Sequence, residues 1–351
     1  MEVPYLKFAT FTHLPWPENN NPADLYERHA GQVIFAEELG FHSAWLAEHH
    51  FTRYGLGSAP MVVASNIMAR TKKIRIGTAV LVPPLHHPVR LAEEVSVLDV
   101  LSNGRVDIGF GRGGPGYEFR GYNVDHEESQ DRFREGISIC EGLWSTPGFS
   151  YTGKYNTLDQ TNLVPPPIQR PHPPIYIAAT RTPATLEYAV STGHPTIVGN
   201  VQDTHDALDL CNRFVEKSKD AGHNIPMSDI PFFRYLHVAK TEEEAKRNTV
   251  APLNWVLDVI QWRRTFQHGS EVYEDLEDWR RDRTELPLSY EHLYEHRAII
   301  GTPEQCLEKI TRLTDAGIKF FGGNFAFGAM PDSVVKNSME LFAKEVMPYL
   351  S

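Results

Sequence analysis

Glu48-His49-His50 directly follows the apolar Trp45-Leu46-Ala47, so two imidazoles stand where a strand should run out. A histidine at that position moves protons near neutral pH, because its ordinary pKa is about 6.5. One of the pair could equally do no more than fill the rim. Residues 74–80 end in the small side chains of Gly77, Thr78 and Ala79, then Val80. Small side chains at a strand tip let a flat ligand approach, with backbone N–H and C=O groups reading its edges. Gly109, Gly111 and Gly114 fit the spacing G-x-G-x-x-G, but Pro115 and Gly116 follow where a dinucleotide-binding helix should be opening. That fingerprint therefore fails on context. Arg112, set among the glycines, instead suits an anionic ligand gripped by a guanidinium fork.

His292-Leu293-Tyr294-Glu295-His296 matches H-x-x-E-H, a zinc-peptidase pattern. No downstream carboxylate is placed as a third ligand, and 16 histidines make chance matches common, so a partly exposed helix is the better reading. The stretch 265–287 is dense in mixed charge and reads as a solvated helix face or as a lid over the site.

The elements that must position these residues alternate along the chain. Strands are expected at 5–11, 43–47, 74–82, 105–110, 175–179, 196–198, 232–239 and 319–325. Helices are expected at 22–39, 60–70, 88–101, 130–143, 183–191, 204–221, from 242, at 303–316 and at 331–349. Pro88 suits a first helical turn, where a missing N–H costs nothing. Insertions break the rhythm at 145–174, rich in Pro, Gly and Tyr and shaped as a loop or hairpin, and at 250–298. Strict alternation argues for an α/β fold with a parallel sheet, here a (β/α)8 TIM barrel forming one domain over 1–351, with its chemistry at the C-terminal strand ends.

Composition narrows the partners. The net charge of 34 − 45 = −11 argues against nucleic acid, and an apolar fraction of 41% suits a sizeable core. Cys140, Cys211 and Cys306 lie far apart and odd in number, unlike a disulfide framework. Residues 1–8 lack a secretory pattern, and no apolar run nears the roughly 18 residues a membrane span needs. A cytoplasmic protein with no membrane partner is expected.

Taken together, residues 45–51, 76–79, 87–93, Leu98-Asp99 with 101–105, Gly111-Arg112-Gly113, 300–304 and Val346-Met347-Pro348 resemble the bacterial luciferase-like flavin-dependent monooxygenases. The similarity runs through the whole chain. Glu48-His49-His50-Phe51-Thr52 and His87-Pro88-Val89-Arg90 are most similar to the luciferase catalytic subunit and its aldehyde (alkanal) monooxygenase relatives. The resemblance implies a barrel that binds reduced FMN as a co-substrate from a separate NAD(P)H-flavin reductase. With O2 it would oxidise a small organic substrate, such as an aldehyde or ketone, through a flavin C4a-peroxide. A homodimer or paralogue heterodimer, paired through helices of the first half, is implied as well.

By the same resemblance, His49 is the catalytic acid–base group with Glu48 beside it, and the Glu48 backbone touches the isoalloxazine. Ala79 and Val80, joined by a non-proline cis peptide, would contact the ring, with Gly111 next to it. Arg112 would hold the flavin phosphate, completed by Thr180, Arg181, Thr182 and Thr185 at a helix N-terminus. No metal is implied. Three positions depart from the family pattern. Gly111 stands where luciferase has a cysteine, implying a roomier pocket. Gln130 stands where a second phosphate arginine is common, with Arg132 or Arg134 able to compensate, and Arg181 replaces a usual serine. Phe8, Phe11, Trp16 and Phe51 would line an apolar substrate pocket or belong to the core. Two alternatives stand beside this reading: an F420-dependent oxidoreductase of the same superfamily, and a flavin-binding protein without catalysis.

Overall fold

Proline marks where many of the helices begin: Pro22, Pro60, Pro88, Pro183 and Pro303 each occupy a first helical position. Its fixed φ is helical and its absent N–H would have lacked a partner there. The structure, a computed structural model of the chain, describes residues 6–179, 182–266, 276–282 and 288–350. The strands are β1 (Lys7–Thr12), β2 (Ser43–Leu46), β3 (Arg75–Leu81), β4 (Val106–Phe110), β5 (Phe149–Thr152), β6 (Thr157–Thr161), β7 (Ile175–Ala178), β8 (Thr196–Ile197), β9 (Pro231–Val238), β10 (Ala298–Gly301) and β11 (Phe320–Asn324). The helices are α1 (Pro22–Glu38), α2 (Pro60–Arg70), α3 (Pro88–Ser102), α4 (Gly116–Gly121), α5 (Ser129–Ser145), α6 (Pro183–Thr192), α7 (Thr204–Asp220), α8 (Glu242–Trp262), α9 (Leu276–Asp282), α10 (Tyr290–His296), α11 (Pro303–Asp315) and α12 (Asp332–Glu345).

The main sheet is parallel throughout, in the order β10-β9-β11-β1-β2-β3-β4-β7-β8. It is strongly curled, because Val198 just after β8 reaches Phe232 of β9 in a parallel bridge. Val198 N donates to Pro231 O at 2.9 Å, and Phe233 N donates to Val198 O at 2.8 Å. The free edge of β9 is thus shared between Val198 at its start and β10 at its end. β10 is a strand that the sequence pattern misses. Its four residues, Ala-Ile-Ile-Gly, are too few to show a period. The insertion at 145–174 is the antiparallel hairpin β5–β6, as expected.

Side chains alternate across the sheet as strand geometry requires. Phe11, Trp45, Ile197, Phe233 and Phe320 pack together on the concave side, while Phe8, Leu46, Ile76 and Ile108 join the larger core shared with the helices. Gly77 makes room for the fully buried Trp45: a Cβ there would collide with the indole. The strand tips are thereby held around a packed barrel-like floor, and the loops above them form the mouth.

Of the charge-rich stretch, 267–275 and 283–287 lie outside the described residues, and so does most of the expected lid. Its helix α9 is moored by Arg280, whose Nε donates to Asp258 at 2.7 Å. The three cysteines are free and buried. Among the described residues no helix is long and apolar enough to cross a membrane.

Candidate active site

The Glu48-His49-His50 run leaves the tip of β2, and its three side chains take different directions. Glu48 points into the protein and is almost sealed from solvent. Its carboxylate accepts from the Val82 amide at 2.9 Å and lies 2.9 Å from both His50 Nε2 and His86 Nε2. Burial alone would raise the Glu48 pKa, but the bonds from His50 and His86 outweigh it and hold the group below the usual carboxylate value. Burial opposes the charge on His86 as well, yet Glu48 keeps that imidazole above its ordinary value. The Glu48 backbone N–H donates to Val80 O at 3.2 Å, so the residue ties β2 to the tip of β3.

His49 faces the mouth, with 20% of its side chain exposed, and its Nδ1 lies 3.2 Å from Glu118 Oε1. Glu118 also accepts from the His50 amide at 3.1 Å and is itself buried in α4. Burial lowers the His49 pKa; Glu118 pulls it up, Arg263 and His50 push it down, and the net shift is downward. A carboxylate on Nδ1 fixes the ring so that Nε2 presents a lone pair. His13 stacks on His49 with ring centres 5.8 Å apart, and the Tyr54 ring meets His49 edge-on at 4.7 Å. The Tyr54 hydroxyl is 3.1 Å from His13 Nε2. Tyr122 closes the back of the cluster, its hydroxyl 3.1 Å from His50 Nδ1.

Beside this layer lies the tip of β3, where the Ala79–Val80 peptide is cis and both residues are half-buried. Gly111, at the end of β4, is backed by Val80: a Cβ on Gly111 would fall within contact distance of Val80 Cγ2. The space expected from the glycine is therefore filled by valine. Arg112 follows, with Nη1 donating to Ser129 Oγ at 3.0 Å, and Gln130 is the next residue of α5. Gln130 Oε1 accepts from Thr185 Oγ1 at 3.4 Å, while its Nε2 is buried with no partner. Thr182 stands at the N-cap position of α6, a 10-residue helix, but its side chain makes no capping bond. Arg132 turns away to Glu128 and to the Tyr155 ring, whereas Arg134 Nη2 reaches the Ala184 carbonyl in the first turn of α6. Thr180 and Arg181 lie outside the described residues.

An orphaned amide donor, a half-buried guanidinium and an uncapped helix start form a cradle for a small dianion. In the sheet the β3 tip stands between the β2 tip that leads to His49 and the glycines that follow β4. These residues fit a flavin mononucleotide. Phe51 is exposed at the rim, while Phe8 and Phe11 belong to the core. Trp16 is half-buried under the Arg53 guanidinium.

The residues that sequence reading overlooked are Glu118, His13, Tyr54, Arg263 and Ser129. Glu118 sits 69 positions from His49, and only the folded chain joins them. His292 of the zinc-like motif faces Asp203 at 3.0 Å, which also accepts from Arg297 at 2.6 Å. Among the described residues no group of three or more His, Cys, Asp or Glu is arranged to hold a metal ion.

Residues 5–319 match the family of luciferase-like monooxygenases. The chain is 27% identical to the oxygenase component of the flavin-dependent trigonelline monooxygenase of Acinetobacter baylyi, over 99% of this chain and 96% of that protein. It is also 27% identical to the alkanal monooxygenase alpha chain of Photorhabdus luminescens, over 98% and 97% of the two chains. A monooxygenase structure from Streptomyces bottropensis superposes with a TM-score of 0.86 at 25% identity, covering 99% of this chain and 100% of that one. The resemblance read from the motifs thus agrees with full-length similarity and with the fold, and the chain belongs to the luciferase-like monooxygenase family.

Proposed function

We propose that this chain is the oxygenase half of a two-component, FMN-dependent monooxygenase, acting on a small organic substrate such as an aldehyde or ketone. The observation that carries the reading is the pairing of a mouth-facing His49, held by buried Glu118, with the anion cradle of Arg112, Gln130, Thr182 and Thr185. The names of its relatives, a flavin-dependent oxygenase component among them, support both the flavin and a separate reductase. Bound reduced FMN would supply the electrons that activate O2, one oxygen atom passing to the substrate and the other to water.

The chain's own groups do the rest. Arg112 and the start of α6 anchor the phosphate. Thr180 and Arg181, assigned by family resemblance, would join them. The backbone of Glu48, Ala79 and Val80 with Gly111 forms the ring's seat. His49 Nε2 takes and returns a proton, and Glu48 acts from behind by fixing His50, His86 and the Val82 amide. The aromatic side chains around the mouth exclude water.

A closed eight-stranded barrel in one domain is part of the same reading, supported by the bridge between Val198 and Phe232. Pairing through the first helices, as a homodimer or paralogue heterodimer, is supported by Val62 on α2 and Val97, Val100 and Leu101 on α3, all exposed apolar side chains.

The test is an anaerobic titration with reduced FMN and reduced F420 side by side, followed by an O2 pulse with candidate carbonyl substrates. Tight binding of FMN and oxygen-dependent product formation are expected. Binding of F420 alone would overturn the flavin assignment, and binding without turnover on any substrate would favour a non-catalytic flavin carrier. His49→Ala should bind flavin nearly as the parent does and lose at least roughly 100-fold in turnover. A fully active variant would remove His49 from the mechanism.

A further inference from the structure

One cation at the mouth has no anion among the described residues. Arg263 follows the end of α8, and its guanidinium lies over the Tyr54 ring at 3.9 Å from the centre. Tyr54 in turn touches His13 and His49, so Arg263 belongs to the layer next to the reacting histidine. Arg263 Nη1 is sealed from solvent and makes no hydrogen bond. Tyr117 Oη lies within reach of both Thr52 and Arg263, yet neither Tyr117 Oη nor Thr52 Oγ1 completes a bond of ordinary geometry. Three polar groups thus lie together, buried and unsatisfied.

Among the described residues, one carboxylate of the mouth and one of α8 are already engaged. Glu118 serves His49 and the His50 amide, and Asp258 is taken by Arg280. A buried guanidinium N–H left unpaired costs more than a neutral one, and the cost disappears when an acceptor arrives with its own charge. The walls around it are aromatic: Tyr117 meets Phe266 edge-on at 5.6 Å, and Phe266 meets Trp262 at 4.9 Å. The cradle assigned to the flavin phosphate uses other residues: Arg112 after β4, Gln130 on α5 and Thr185 on α6.

We propose that Arg263, with the Tyr117 hydroxyl beside it, binds a carboxylate on the substrate, whose ring or chain lies against Tyr54, Tyr117 and Phe266. The planar fork of the guanidinium matches the two oxygens of a carboxylate. The preferred substrate is then an organic acid oxidised at a carbon away from its carboxylate, with His49 near the reacting end. This assignment rests on the monooxygenase reading for where the substrate sits, but the anion site is measurable without turnover.

Isothermal titration of the full-length chain with benzoate and with benzamide, each with and without FMN, tests it. These probes share a ring and differ in charge. Benzoate should bind at least about tenfold more tightly than benzamide in the parent. Arg263→Gln should erase that preference and Arg263→Lys keep part of it, both holding flavin affinity within about twofold. A ratio near unity in the parent, or one unchanged in Arg263→Gln, overturns the site. So does an Arg263→Gln variant that loses FMN as much as benzoate, since the arginine would then serve the cofactor. If instead the parent fails to bind FMN but still discriminates the probes, the flavin reading falls and the anion site stands.

Discussion

Glu118 and Glu48 are both buried carboxylates within one hydrogen bond of a histidine, but they hold different ones. Glu118 bonds the mouth-facing ring, and its negative charge raises a His49 pKa that burial has lowered. As a base, His49 must be neutral, so activity should fall on the acid side as pH drops through its pKa, below 6.5. Replacing Glu118 by Gln removes the charge that favours the protonated ring. The acid limb of kcat/KM should therefore move to lower pH, while the plateau drops by roughly tenfold or more from lost ring orientation. A plateau that falls with the limb unmoved would mean that Glu118 supports only the fold. Glu48, His49 and Arg112 were legible in the sequence because each lies in a short local pattern at a strand tip. Glu118 and Arg263 were not, because their meaning comes from partners about 70 and 200 positions away that share only the tertiary mouth.

Neighbouring strand ends make a surface that no single strand encodes. β3 and β4 lose register between Thr78 and Leu81, and there Val80 swings over Gly111. The glycine alone suggested an opening. The pairing shows a valine methyl occupying it, a fact that depends on which residue of β3 stands beside residue 111. Gly111→Ala forces Val80 aside, a small-to-large change that costs about 1–3 kcal/mol in a packed site. FMN affinity should drop by about tenfold in that variant, and the double variant Gly111→Ala with Val80→Ala should recover much of it. Additive losses in the double variant, read by flavin titration, would show that the two side chains do not share the space. Long helices opened by proline were readable for a local reason, φ and the lost donor. β10 was hidden because its evidence is a partner, the second half of the β9 edge.

At the scale of the whole molecule the net charge of −11 does not describe the site, where the cations Arg112 and Arg263 stand beside other partners than the carboxylates Glu48 and Glu118. It also says little about how stability varies with pH, which depends on buried groups. His29 on α1 and His237 on β9 are both buried, and burial lowers each to a pKa of about 4. In the unfolded chain such groups titrate near 6.5, so between that pH and 4 the unfolded state binds more protons than the folded one. The sign follows: stability is lost as pH falls through this window, by up to about 3 kcal/mol for each histidine. His86 does not oppose this, because its pKa is raised and its contribution is already complete below the unfolded value. Lowered carboxylates such as Glu48 add a loss of the same sign only nearer their own range, below about 4.5. Denaturant midpoints measured at pH 6.5, 6.0 and 5.5 should therefore fall steadily. His29→Gln should flatten part of that slope, and equal slopes in the variant and the parent would show that His29 protonates freely in the folded chain.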